Sequence, residues 1–329
     1  MNVFLRLVLC FVLPVAIAPA HETGDAAHDR PTRDSGKVEP KHQVSIETTE
    51  TQRIIRSNGW PDHEPGRFPN RGNPNRISEQ NYEFRMPLKP EKASRPIPSG
   101  HAYFGVALNG VPFEPGTAEV WNRDPSSGWH YQAMSGKMDL GLDSHHAHVQ
   151  PNGAYHYHGL PTGLLDRLKA KDDRMTLVGW AADGFPMYAV YGYSDASDPK
   201  SQVRELKSSY RLKAGKRPKE ANGPNGKHDG LFEEDFEYVE GLGDLDELNG
   251  REGVTPEFPE GTYYYVITRD YPFIGRSWRG TPDRSFQKGG PGGPGGRGGP
   301  PGRRPPPGTD GFPPGPPPPH DGRRGPPRE

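Results

Sequence analysis

The segment Asp143–Gly159, DSHHAHVQPNGAYHYHG, constrains this chain more than any other stretch. His146 and His148 are two residues apart, as are His156 and His158. In extended strands each pair shares one side, because side chains alternate at period two. Between the pairs, Gln150-Pro151-Asn152-Gly153-Ala154 is written in turn residues. Pro151 is preset for the first central position of a type I turn, Asn152 suits the second, and Gly153 takes the left-handed conformation that closes a three-residue loop. That loop pairs Gln150 with Ala154, sets His148 against His156 and His146 against His158, and sends Ala147, Val149, Tyr155 and Tyr157 to the other face. A two- or four-residue loop shifts the register by one and splits the cluster. The three-residue loop is preferred because it separates the polar set from the apolar set.

Directly opposed residues have Cβ atoms about 5 Å apart and same-face neighbours along a strand roughly 7 Å, so four imidazoles can converge on one ion. Neutral imidazole suits zinc, copper, nickel or iron, and the absence of a dominant carboxylate set argues against calcium or magnesium. The expectation is therefore a transition-metal site, copper or zinc, with His146, His148, His156 and His158 as ligands. Its competitors are a solvated histidine face, a pH-sensing cluster and a histidine-lined organic site. Asp143 and His145 lie just upstream as weaker ligands, or as groups that orient an imidazole through its second nitrogen. His101 and His130 are weaker still.

The ends bound the rest. Residues 1–20 begin MNVFLRLVLC and run through an apolar core to Ala18-Pro19-Ala20, the pattern of a secretory signal peptide with cleavage expected after Ala20. Cys10 is the single cysteine and lies inside that run, so the mature chain is expected to hold no disulfide. The expected location is secreted or periplasmic, with no transmembrane anchor in the mature chain. The 41 basic and 42 acidic residues nearly cancel, which removes the electrostatic case for nucleic acid or an anionic membrane as partner. Residues 21–45 read as a polar, flexible lead-in. Residues 288–329 read as a disordered, basic Gly/Pro/Arg-rich tail with too few apolar side chains to offset its ordering entropy. Contact with an acidic cell-envelope polymer is one use for it.

Residues 46–287 are long enough for one domain with its own core. HAYFGVALNGVPFEP offers two strands around Asn109-Gly110, TLVGWAADGFPMYAVYGY repeats the plan around Asp183-Gly184, and Tyr263–Thr268 is a third strand signal. Between Pro161 and Arg174 lies a short helix, with Thr162 as a cap and Leu164, Leu165 and Leu168 on one side. The fold class is mainly β, a single domain of hairpins built as a sandwich or barrel with one short helix. The hairpin's apolar face is expected to pack on the sheet, leaving the histidines toward solvent or a cleft. The acidic run Leu231–Asn249 reads as a solvated loop. Its Asp244–Gly250 portion brushes against a calcium loop, but the glycine comes one place late.

GAYHYHGLP with the upstream HAHVQPNG resembles the motif of the YHYH domain family, found mostly in secreted bacterial proteins. GWAADGFPMY, GDLDELNGREGVTPEFPEGTYYYVITRDYPF and RGTPD extend the likeness over roughly residues 100 to 285. The resemblance implies the domain and no particular chemistry. Three functions stay open: a metal-binding module, a metal-dependent hydrolase or oxidase in which Asp143 or Asp183 serves as general base, and a structural or adhesive envelope protein. No HExxH, nucleophile elbow or phosphate-cradling loop is present in the sequence.

Overall fold

A computed structural model of the chain describes residues 41–219 and 223–288. The expected signal peptide, most of the lead-in and the tail beyond Lys288 lie outside the described residues.

An eight-stranded mixed sheet organises the domain. Its strands run in the order Gly250–Gly253, Thr262–Ile267, Pro186–Ala189, Leu177–Ala181, Gly105–Ala107, Pro112–Phe113, Tyr155–Tyr157, Ala147–Val149. Both hairpins read from Asn-Gly and Asp-Gly turns are present, with Gly110 at φ +77° and Gly184 at φ +91°. The two hairpins are joined to each other by an antiparallel pairing of Gly105 with Ala181, and to the outer strands by two parallel pairings, Met187 beside Tyr265 and Phe113 beside Tyr157. Central strands such as Thr262–Ile267 are apolar along nearly their whole length because both faces are covered.

Two further sheets close the core. Val44–Thr48, Gln52–Ser57 and Tyr82–Pro87 form an antiparallel meander that buries Ile55, Phe84 and Met86. It begins two residues ahead of the expected domain start at 46. Ser277–Gly280 pairs with Lys92–Pro98 and brings Trp278 onto the main sheet, where its indole lies stacked on Phe104 at 5.8 Å and Nε1 donates to the Phe104 carbonyl at 2.8 Å. Such an aromatic pair contributes about 1 kcal/mol beyond its buried area. From here the chain returns through Phe286 to Lys288 at the edge of the histidine hairpin.

The helix is shorter than its apolar spacing suggests, Thr162–Arg167, and Leu168 is left exposed. Lys169 ends it with φ +52°. Thr162 does not cap: its hydroxyl donates to the Ser144 carbonyl at 3.0 Å instead. The acidic run is also less solvated than expected. Asp235 is fully buried and takes Arg217 on both oxygens, Nε to Oδ1 at 2.7 Å and Nη2 to Oδ2 at 2.6 Å. Asp246, in the segment that resembles a calcium loop, accepts from the amides of Leu248 and Gly250 at 2.9 and 3.0 Å and so serves a turn.

The loop of the histidine hairpin is closed as its residues require. Gly153 donates to the Gln150 carbonyl at 2.8 Å, Gln150 donates to that of Ala154 at 3.0 Å, and Gly153 sits at φ +87°. The Gly153 carbonyl accepts from the Ser78 amide at 3.0 Å, which pins the loop to the segment that leads into the meander's third strand. A Cβ at 153 overlaps the Ser78 side chain and comes 3.0 Å from the Ser78 amide nitrogen. Gly153→Ala is therefore expected to lower stability by at least about 2 kcal/mol, from strain and overlap together. A urea midpoint unchanged from wild type would show that the loop yields freely.

Candidate metal centre

The register places His148 directly opposite His156, with Ala147 facing Tyr157 and Val149 facing Tyr155. Tyr155, Tyr157, Ala147 and Val149 enter the core. The imidazole face is buried as well, contrary to the expectation of an open one: His156 and His158 are 1% and 2% exposed. Segments around Glu114 and Leu140, and the returning chain at Lys288, lie over it.

Three nitrogens meet there. His158 Nε2 lies 3.0 Å from His156 Nε2 and 3.1 Å from His148 Nε2, and the three ring centroids are 4.7, 4.8 and 4.8 Å apart. All three ligand atoms fall within 4.8 Å of one another. Two nitrogens bound to one tetrahedral ion at ~2.0 Å are about 3.3 Å apart, so these spacings suit a shared ion.

The outer nitrogens set the tautomers. His148 Nδ1 donates to the Leu140 carbonyl at 2.9 Å and His156 Nδ1 to that of Ala154 at 3.1 Å, which leaves both Nε2 atoms as lone pairs when the rings are neutral. Burial keeps them neutral. It holds the His148 pKa below the ordinary histidine value, and His156 and His158 well below it, with the neighbouring His148 charge adding to both. His158 Nε2–H makes a full hydrogen bond to only one of its two neighbours, and His158 Nδ1 is buried without any partner. A cation at the meeting point removes the lone-pair conflict. The trio is thus a buried three-histidine cluster able to ligate a metal.

His146 is not part of it. Its carbonyl accepts from His158 at 2.8 Å, so the backbone ladder reaches this far, but its φ is +56° and Nδ1 donates to the Leu160 carbonyl at 2.8 Å. The expected set of four is a set of three because Asp143 curls the chain into a turn before the strand starts. Asp143 donates to the Ala147 carbonyl at 2.8 Å and its carbonyl accepts from His146 at 3.1 Å. Oδ1 accepts from His145 and Ala147 at 2.9 and 3.1 Å, while Oδ2 accepts from Gly66 at 2.9 Å and from the Tyr155 hydroxyl at 2.7 Å. Asp143 is thereby occupied on the tyrosine side of the hairpin.

His145 also stands apart, with Nδ1 2.8 Å from Thr162 Oγ1 and its ring 4.2 Å from that of His63. It lines an open cleft of about 580 Å³ with Trp60, Asp62 and Arg167. His130 is paired with Glu234 at 2.8 Å, and His101 is exposed on the surface. Neither joins the trio.

Asp183 is elsewhere in the sheet, in its turn, where Oδ2 accepts from the Tyr265 hydroxyl at 2.6 Å and from Gly280 at 2.9 Å. Burial pushes its pKa up to about 6, against the pull of those donors. The raised value means that the fold prefers the protonated carboxyl. Its contribution is full below the unfolded pKa near 4 and is lost as pH rises through about 6, up to about 3 kcal/mol in all. The stability of wild type relative to Asp183→Asn is accordingly expected to fall between pH 4 and 7; urea titrations at several pH values that give a constant difference would refute this.

One acidic group near the trio was missed in the sequence. Glu114 follows the strand Pro112–Phe113, which lies parallel to Tyr155–Tyr157, and its amide donates to the Tyr157 carbonyl at 2.9 Å. Since Phe113 shares the side of Tyr157, at 5.6 Å between rings, alternation turns Glu114 to the histidine side. Its Oε2 is 3.6 Å from His156 Nε2. The only signal in the sequence is the Phe-Glu alternation after Asn109-Gly110, uninformative without the parallel pairing.

Among the described residues no helix is long and apolar enough to cross a membrane. No curated protein and no solved structure matches the chain. Residues 83–280 match the family model described as YHYH protein, a span that holds Tyr155-His156-Tyr157-His158, all three clustered histidines and Glu114. That match covers more than half of the 329 residues, and the chain belongs to the YHYH protein family.

Proposed function

We propose that this is a secreted or periplasmic metal-binding protein that holds one transition-metal ion, copper or zinc, on His148, His156 and His158. The observation that carries the reading is the convergence of three buried Nε2 atoms, two of them fixed as lone-pair donors by Nδ1–H bonds to carbonyls. A polar cluster of this kind is expensive to bury without a cation to share. The signal-like segment 1–20 supports export, and the basic segment 288–329 is the part suited to an acidic envelope polymer.

The test is elemental analysis of the purified protein, followed by thermal melting of the metal-stripped protein in zinc(II) and in copper(II). A metal that binds the folded state raises the melting temperature by mass action. The double variant His156→Ala, His158→Ala is expected to show no response. Wild type that carries no metal and melts identically in both ions would end the proposal.

A further inference from the structure

A buried carboxylate beside three converging nitrogens has no part in the three-histidine reading. Glu114 Oε2 is 3.6 Å from His156 Nε2, close to the separation of two donors on one tetrahedral ion, and the sheet register aims it there. Three neutral imidazoles leave the full charge of a divalent ion uncompensated in a buried place, which is strongly unfavourable. A carboxylate halves that charge.

The partners of Glu114 tell the same story from the metal-free side. Lys288 Nζ pairs with Oε1, and Gln150 Nε2 donates to Oε2 at 2.5 Å. The ammonium supplies the positive charge that the carboxylate needs when no ion is bound. Lys288 is also replaceable: its side chain is 26% exposed, so turning to water costs it the Glu114 pair and the contact of its ammonium with the Tyr103 ring, 4.9 Å away, and restores its hydration.

We propose that Glu114 is the fourth ligand of this site, that the resulting His3Glu set selects a divalent ion of the zinc class over copper(I), and that Lys288 is the cation displaced on binding. This rests on the three-histidine metal reading. Glu114 stands outside the 4.8 Å span shared by the three nitrogens, so ligation requires its side chain to swing inward, a movement that loss of the Lys288 pair and of the Gln150 bond to Oε2 permits. The ion preference follows from the donors: an anionic oxygen beside imidazoles suits zinc(II), whereas copper(I) favours thiolate and thioether sulfur.

The experiment titrates the metal-stripped full-length protein with cobalt(II), read by its visible absorption, and with zinc(II) and copper(I) against competing chelators. Glu114→Gln, nearly isosteric, is expected to weaken zinc(II) and cobalt(II) by at least about ten- to a hundredfold, the loss seen even for outer-sphere partners, and to shift the cobalt bands. Its copper(I) affinity is expected to match wild type. Lys288→Met removes the competitor and is expected to tighten zinc(II) binding, a change opposite in sign that general damage to the fold does not produce. Glu114→Gln with wild-type affinities and an unchanged cobalt spectrum would overturn the fourth ligand and leave the three histidines standing. Wild type that binds no divalent ion would overturn both.

Discussion

His158→Leu is expected to melt close to wild type when metal is absent and well below it when metal is present. His158 is the hub of the trio, within 3.1 Å of both other Nε2 atoms, and its Nδ1 is buried with no partner. Leucine of similar volume removes that unsatisfied group and the lone-pair contact but takes the donor away from the Nε2 that accepts from His158, and these opposing effects are of similar size, about 1–3 kcal/mol each. With metal at a thousandfold above its Kd, wild type gains about 4 kcal/mol, or roughly 10 °C for a domain of this size. The variant loses that gain. A gap that opens only when metal is added is the signature; curves separated by the same amount in both conditions would mean that His158 serves packing alone.

The second large effect belongs to Asp143, whose carboxylate orders the entry to the hairpin. Asp143→Ala orphans three backbone amides and the hydroxyl of the fully buried Tyr155 at once. Hydrogen bonds to a charged acceptor contribute more than neutral ones, and each orphaned donor adds its own desolvation cost, so about 4 kcal/mol is expected. Urea unfolding measures it. Metal affinity of the folded fraction is expected to stay within a fewfold of wild type, because these bonds lie on the tyrosine side. A fall as deep as that of His158→Leu would return Asp143 to the ligand set.

The contrast between these residues shows what could be read from the chain alone. Pro151, Asn152 and Gly153 act over four or five residues, and their local chemistry fixed the loop, the register and the meeting of His148 with His156. His146 was misplaced because the pattern of alternating histidines continues past the point where the strand ends. What stops the strand is the Asp143 turn, set by bonds to Gly66 and Tyr155. Glu114 was invisible because its place depends on a parallel pairing between strands some forty residues apart in sequence. The meander was missed for a different reason: Gln52–Ser57 carries Arg53 and Arg56 among its isoleucines, and Arg53 becomes acceptable only by lying 3.4 Å over the Trp180 ring. In the acidic run, nothing near Asp235 in sequence signals its burial, which depends on Arg217 folding onto it from an upstream segment.

The near-complete enclosure of His156 and His158 has a kinetic corollary. An ion seated among them enters or leaves only when the segments over the edge hairpin, at Glu114, Leu140 and Lys288, move aside, and such local openings cost less than global unfolding. Occupancy would then follow a change in metal supply with a delay set by those openings rather than by diffusion of the ion.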